Sequence, residues 1–135
     1  MTTVQRIVMD TSAYSHMRTG HQELTELLAL AEALLIPVTV LGELEGAFEL
    51  GSRASINRRV LTEFLSEAFV SILPTTPDVA RRYGQIFARQ RRAGRPVSVN
   101  DMWIAASAID SGGHLVTFDK DFGHIEALDC TILAP

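Results

Sequence analysis

Four short apolar runs, Arg6–Asp10, Leu34–Val38, Phe69–Leu73 and His114–Phe118, are separated from one another by stretches with helical spacing. This alternation is what most restricts the folds open to the chain. Parallel strands need long crossover connections, usually helical, so strands that alternate with helices predict a parallel sheet carrying helices on both faces. Thr11-Ser12 offers a cap for a helix after the first run, and apolar periodicity predicts further helices at about 21–33, 39–50, 55–68, 78–93 and 100–111. Gly51, Gly94-Arg95-Pro96 and Gly112-Gly113 punctuate them, and Thr131–Leu133 reads as a short fifth strand. No repeat, low-complexity tract or Ser/Pro-rich linker divides the 135 residues, so residues 1–135 read as a single domain.

With 47% hydrophobic and 21% charged residues the chain is neither disordered nor fibrous. No apolar stretch approaches the ~20 residues of a membrane span. Residues 1–6 lack the charged-then-apolar pattern of a secretion signal, and the single cysteine, Cys130, has no internal disulfide partner, so the cytoplasm is the expected compartment. The net charge of −4 conceals an asymmetry. From Arg53 to Arg95 nine arginines face three acids, a local balance of +6, while the remaining residues carry −10. Arginine forks suit phosphate, so Arg89, Arg91 and Arg92 on the predicted 78–93 helix are candidate RNA contacts, with a protein interface as the other use of that helix.

In an open α/β sheet, ligands gather where the strands end at their carboxyl edge. Asp10 ends the first strand, Asp119 follows the fourth, Glu43 lies early in the helix after the second, and Asp101 opens the helix at Asn100. All four acids are expected on one rim. At 100° per residue Asp101 shares a face with Ala105 and Ala108, the face expected to pack on the sheet, while Asp110 points away. Glu43 likewise lies well apart from Glu45 and Glu49, which read as solvated surface. Taken one at a time these acids also read as helix caps, a turn after a strand and an exposed helix residue. Together they form a like-charge cluster, unfavourable unless a cation fills it. An all-oxygen donor set favours Mg²⁺ or Mn²⁺ over zinc. Such an ion beside an arginine-rich surface suits phosphodiester hydrolysis by an activated water.

The stretches Ile7-Val8-Met9-Asp10-Thr11-Ser12-Ala13, Pro37-Val38-Thr39-Val40-Leu41-Gly42-Glu43-Leu44, Val99-Asn100-Asp101-Met102-Trp103-Ile104-Ala105-Ala106 and Leu115-Val116-Thr117-Phe118-Asp119-Lys120-Asp121-Phe122 occur in this order across nearly the whole chain. In them the sequence resembles the PIN-domain ribonucleases, and among these the VapC toxins of toxin–antitoxin pairs. The resemblance implies a three-layer α/β/α sandwich with a central parallel sheet of about five strands, Mg²⁺- or Mn²⁺-dependent endoribonuclease activity, and a homodimer. It makes Asp10, Glu43, Asp101 and Asp119 the catalytic and metal-binding acids. Asp121 matches a further acid of the closing motif, acting through water, and Ser12 and Thr117 match hydroxyl positions that orient carboxylates or waters. Phe118 departs from the pattern, standing where many relatives carry a polar or basic residue.

The same resemblance implies a structured RNA substrate, tRNA or rRNA cut within a single-stranded loop. It also implies a VapB-like antitoxin whose carboxyl-terminal segment fills a groove supplied largely by the helices at 21–33 and 39–68 and presents a basic residue to the acids. Leu24, Leu27, Leu28, Leu41 and Phe48 on those helices read first as core. The alternatives are a PIN-fold housekeeping nuclease, a non-catalytic RNA-binding module and, outside this family, a phosphatase forming an aspartyl phosphate on Asp10, for which Ser12 stands where that chemistry usually brings a second acid. His16, His21, His114 and His124 are dispersed in sequence without metal-ligand spacing, Cys130 reads as a small buried hydrophobe, and Trp103 as a residue of an interface or of the core edge.

Overall fold

A computed structural model describes residues 6–135; the residues before Arg6, on which the expectation about a secretion signal rests, lie outside the described residues. The elements are β1 (Arg6–Met9), α1 (Thr11–Arg18), α2 (Gln22–Leu28), β2 (Ala33–Pro37), α3 (Val38–Leu50), α4 (Ala54–Leu65), β3 (Val70–Leu73), α5 (Pro77–Ala93), α6 (Val99–Ser111), β4 (His114–Thr117) and β5 (Cys130–Ile132), with a 3-10 turn at Lys120–His124 between the last two strands. The five strands form one sheet in the order β3-β2-β1-β4-β5, and every neighbouring pair is parallel.

Side chains along a strand point alternately to opposite faces, and Ile7, Val8 and Met9 of central β1 are all fully buried. Both faces of the sheet are therefore covered by helices, giving three α/β/α layers. The chain lays down β1, β2 and β3 in one direction, then crosses to the other side of β1 to add β4 and β5. That reversal puts the crevice at which such sheets bind ligands between the carboxyl ends of β1 and β4. Register fixes it: Met9 pairs with Val116, so Asp10 and Thr117 leave the sheet side by side.

Element ends differ from the sequence reading in instructive ways. The helix expected over 21–33 ends at Leu28, because Ala33 is already paired with Arg6 in the sheet and the chain must turn between them. Thr11 and Ser12 lie inside the first turn of α1, and the residue that caps it is Asp10, whose Oδ1 accepts from the Ala13 N–H at 2.8 Å. Ser98 caps α6 by accepting the Asp101 N–H. Near its start α5 meets the end of α6, where Arg82 pairs with Asp110 at 3.1 Å, so the two helices run antiparallel. Trp103 stacks on Tyr83 between them at 4.0 Å, a core-edge position as expected. Leu24 and Phe48 are buried, and Leu27, Leu28 and Leu41 pack half-buried against the same core.

The turn from α6 into β4 requires glycine twice. Gly112 has φ 71°, a left-handed conformation that ends α6, and a Cβ on Gly113 would stand 2.9 Å from Val8 Cγ2 and 3.3 Å from the Arg6 carbonyl oxygen. No helix among the described residues is long and apolar enough to cross a membrane.

Candidate active site

Asp10 is the anchor of the crevice. Only 4% exposed, its carboxylate accepts from the Thr117 hydroxyl at 2.6 Å, from the Ser12 hydroxyl at 2.8 Å and from the Ala13 N–H at 2.8 Å. Burial pushes its pKa up, the bonds from Thr117, Ala13 and Ser12 pull it back, and the charge of Asp119 adds to the rise; burial wins. Ser12 and Thr117 do more than donate. The Ser12 oxygen accepts from the Phe118 N–H at 3.0 Å, and the Thr117 oxygen accepts from the Asp119 N–H at 3.0 Å. One relay thus fixes Asp10 and the backbone of Asp119 together.

Glu43 is tethered through both oxygens. Thr11 Oγ1 donates to Oε1 at 2.6 Å and Asn100 Nδ2 to Oε2 at 3.3 Å, so the second turn of α3 is tied to the first turns of α1 and α6. In the sequence Thr11 reads only as a cap and Asn100 only as the start of a helix. Their partner is 32 positions away from Thr11 and 57 from Asn100, and no local pattern points to it. Glu45 and Glu49, by contrast, face Arg58 of α4 at 2.8 Å and 3.8 Å, away from the crevice.

Asp101 completes the group. Its neighbours Ile104, Ala105 and Ala108 are buried on the sheet, which leaves Asp101 at the half-buried end of the core face. Its pKa is pushed up to about 6, first by burial and then by the neighbouring Asp119 and Glu43; the Ser98 cap pulls the other way. Asp119 caps the 3-10 turn through the Asp121 N–H at 2.9 Å. Asp10, Glu43, Asp101 and Asp119 are therefore brought to one crevice, whereas Asp121 contributes its backbone and keeps an exposed side chain.

The donors are all hard oxygens, which fits Mg²⁺ or Mn²⁺. Among the described residues no three His, Cys, Asp or Glu side chains close up tightly enough to enclose an ion unaided. Asp10, Glu43, Asp101 and Asp119 are the residues that would hold such a cation. Burial first, and then the neighbouring Asp119 and Glu43 carboxylates, raise the Asp101 pKa, and a cation bound among these acids would relieve that crowding.

The arginines are divided by the helix they share. Arg89 and Arg92 line a shallow trough with Arg81 on one side of α5, while Arg91 lies over the Phe87 ring at 5.5 Å on another. The four histidines are not all dispersed in space: His16 and His21 meet around Phe118 beside the crevice, and His114 pairs with Asp129 at 2.9 Å. Cys130 is only half-buried.

A parallel five-stranded sheet whose switch-point crevice gathers four acids from β1, α3, α6 and the end of β4 defines a class, and the PIN domain profile matches residues 7–128. The chain belongs to the PIN-domain family. Within it the chain is VapC-like: it is 30% identical over 119 residues to ribonuclease VapC5 of Mycobacterium tuberculosis, covering 88% of this chain and 87% of that one. The crystal structure of VapBC-5 from the same organism, a member of the VapBC family of toxin–antitoxin systems, superposes with a TM-score of 0.71 at 27% identity, covering 96% of this chain and 98% of that one. VapBC2 of Rickettsia felis, bound to a DNA fragment from its promoter, shares the fold with a TM-score of 0.85 at 21% identity over 96% of this chain and 99% of that one.

Proposed function

We propose that the chain is a Mg²⁺- or Mn²⁺-dependent endoribonuclease, the toxin of a VapBC-type pair, acting in the cytoplasm on a single-stranded loop of tRNA or rRNA. The observation that carries this reading is the crowding of Asp101 against Asp119 and Glu43, with Asp10 locked beside them. An apo fold gains nothing from a repulsive cluster, and a site for a hard cation needs one. A divalent cation bound there would activate a water and hold the scissile phosphate.

The protein's own residues define what surrounds that chemistry. Asp10, fixed by three donors, and Asp101 would make the most direct metal contacts. Glu43, oriented by Thr11 and Asn100, and Asp119, oriented through its own N–H, would complete the shell, with Asp121 assisting through water. Ser12 and Thr117 keep the Asp10 oxygens from turning. Arg81, Arg89 and Arg92 offer a phosphate track, and Arg91 a separate contact. Partners are a VapB-like antitoxin, as in the VapBC relatives, and a second copy of the chain.

The test is cleavage of RNA by the purified protein with Mg²⁺, with Mn²⁺ and with chelator, alongside Asp10→Asn and Asp101→Asn. Cutting should require the cation and vanish in both variants while each keeps its fold; undiminished cutting by either removes the mechanism. Expression should arrest growth, and the product of a short adjacent gene should relieve the arrest. Cleavage without growth arrest would point to a housekeeping nuclease instead.

A further inference from the structure

The mouth of the same crevice carries an aromatic stack that the acids do not use. The His16 and Phe118 rings lie face to face, 3.8 Å between centroids and 15° from parallel, and His21 meets Phe118 edge-on at 4.9 Å. The stack is held from several sides. His16 Nδ1–H donates to the Ser12 carbonyl at 2.9 Å, and the Phe118 N–H donates to Ser12 Oγ at 3.0 Å, the hydroxyl that itself donates to Asp10. His21 Nε2–H donates to the Ala134 carbonyl at 2.9 Å and its Nδ1 accepts from the Leu24 N–H, so both ring nitrogens of the bracing histidine are engaged. Both stacked rings remain half-exposed.

We propose that the His16–Phe118 stack is a platform on which a nucleobase beside the scissile phosphate is seated. This rests on the ribonuclease reading and adds to it the contact that positions the substrate. Three observations carry it. The platform is joined to Asp10 by two hydrogen bonds through Ser12 and is one residue removed from Asp119, so a base stacked there would sit beside the carboxylates. It is fixed in advance, so little ordering is lost on binding. It is flat, aromatic and partly open to solvent, the surface on which single-stranded RNA bases stack with little regard to sequence.

The probe is an oligouridylate carrying one 2-aminopurine, moved through successive positions, with binding read by fluorescence and cleavage read in parallel. One position should be quenched on binding. An abasic nucleotide there should weaken binding to the unaltered protein about tenfold, within the range typical of base–aromatic stacking. His16→Ala and Phe118→Leu should raise KM by a similar factor with kcat little changed, and Phe118→Trp should restore it. RNA cut with no position preferentially quenched overturns the platform and leaves the nuclease standing. A quenched position without cleavage keeps the platform as an RNA contact and removes the nuclease. RNA neither bound nor cut removes both.

Discussion

The Thr117 hydroxyl donates to the Asp10 carboxylate across 2.6 Å, joining the ends of β4 and β1 although the residues are 107 positions apart. Thr117 is fully buried, and its oxygen also accepts the Asp119 N–H. Thr117→Val keeps the shape and removes both bonds. It should cost about 1–3 kcal/mol, the usual consequence of stranding buried polar groups, read as a lower urea midpoint with an unchanged slope. Thr117→Ser, which keeps the hydroxyl, should lose less and should retain more activity. Equal stability of the Val variant and the parent would mean that the relay contributes nothing.

Asp101 gives a pH test with a definite sign. Its folded pKa of about 6 lies above the ordinary 3.8, so its protonated form is favoured by folding. The stability it contributes is fully present below 3.8 and is lost as pH rises through 6. Without metal, Asp101→Asn should therefore raise Tm at pH 7.5, by a stabilisation of about 1 kcal/mol once solvent screening of this half-exposed group is allowed for. The advantage should shrink below pH 6 and be gone near pH 4. Added Mg²⁺ should reverse it at neutral pH by stabilising the parent alone. A difference in Tm that is the same at every pH would show that the ionisation of Asp101 is not its cause.

Thr11 and Asn100 act on the reaction only through Glu43. Thr11→Val and Asn100→Ala should each lower kcat about tenfold or less with little change in KM, the pattern expected when a group is no longer held in position. Combined, they should approach Glu43→Gln without adding to it. Full additivity of the two changes on top of Glu43→Gln in single-turnover rates would place them elsewhere in the mechanism.

The trough of Arg81, Arg89 and Arg92 should be visible in salt dependence. Changing all three to Ala should flatten the slope of log K against log salt for single-stranded RNA, by about 0.7 for each phosphate no longer neutralised. Arg91→Ala, whose guanidinium lies over Phe87, should change the slope by no more than one phosphate's worth. An unaltered slope in the triple variant would assign that face of α5 to another partner.

Gly113→Ala tests the packing of the turn between α6 and β4 against β1. The added methyl meets Val8 Cγ2 at 2.9 Å and Ser111 Oγ at 3.1 Å, so stability should fall by about 1–3 kcal/mol in denaturant unfolding.

The sequence by itself determined the layer architecture, because runs such as Ile7-Val8-Met9 are too short and too apolar to be anything but covered strands, and the segments between them carry helical spacing. It also pointed to the acids as candidates, since Asp10 and Asp119 fall at strand ends and Asp101 sits at odds with the buried face of its helix. Tertiary structure alone decided how those acids are held. Thr11 and Asn100 reach Glu43, Thr117 reaches Asp10, and His16 finds Phe118 through contacts between residues far apart in the chain. A hydroxyl or imidazole carries no mark of its partner until the strand order puts β4 beside β1. Element ends were likewise settled by pairing and capping, as Leu28 and Asp10 show, because the register of the sheet and a single accepted N–H outweigh the small propensity differences that sequence reading relies on.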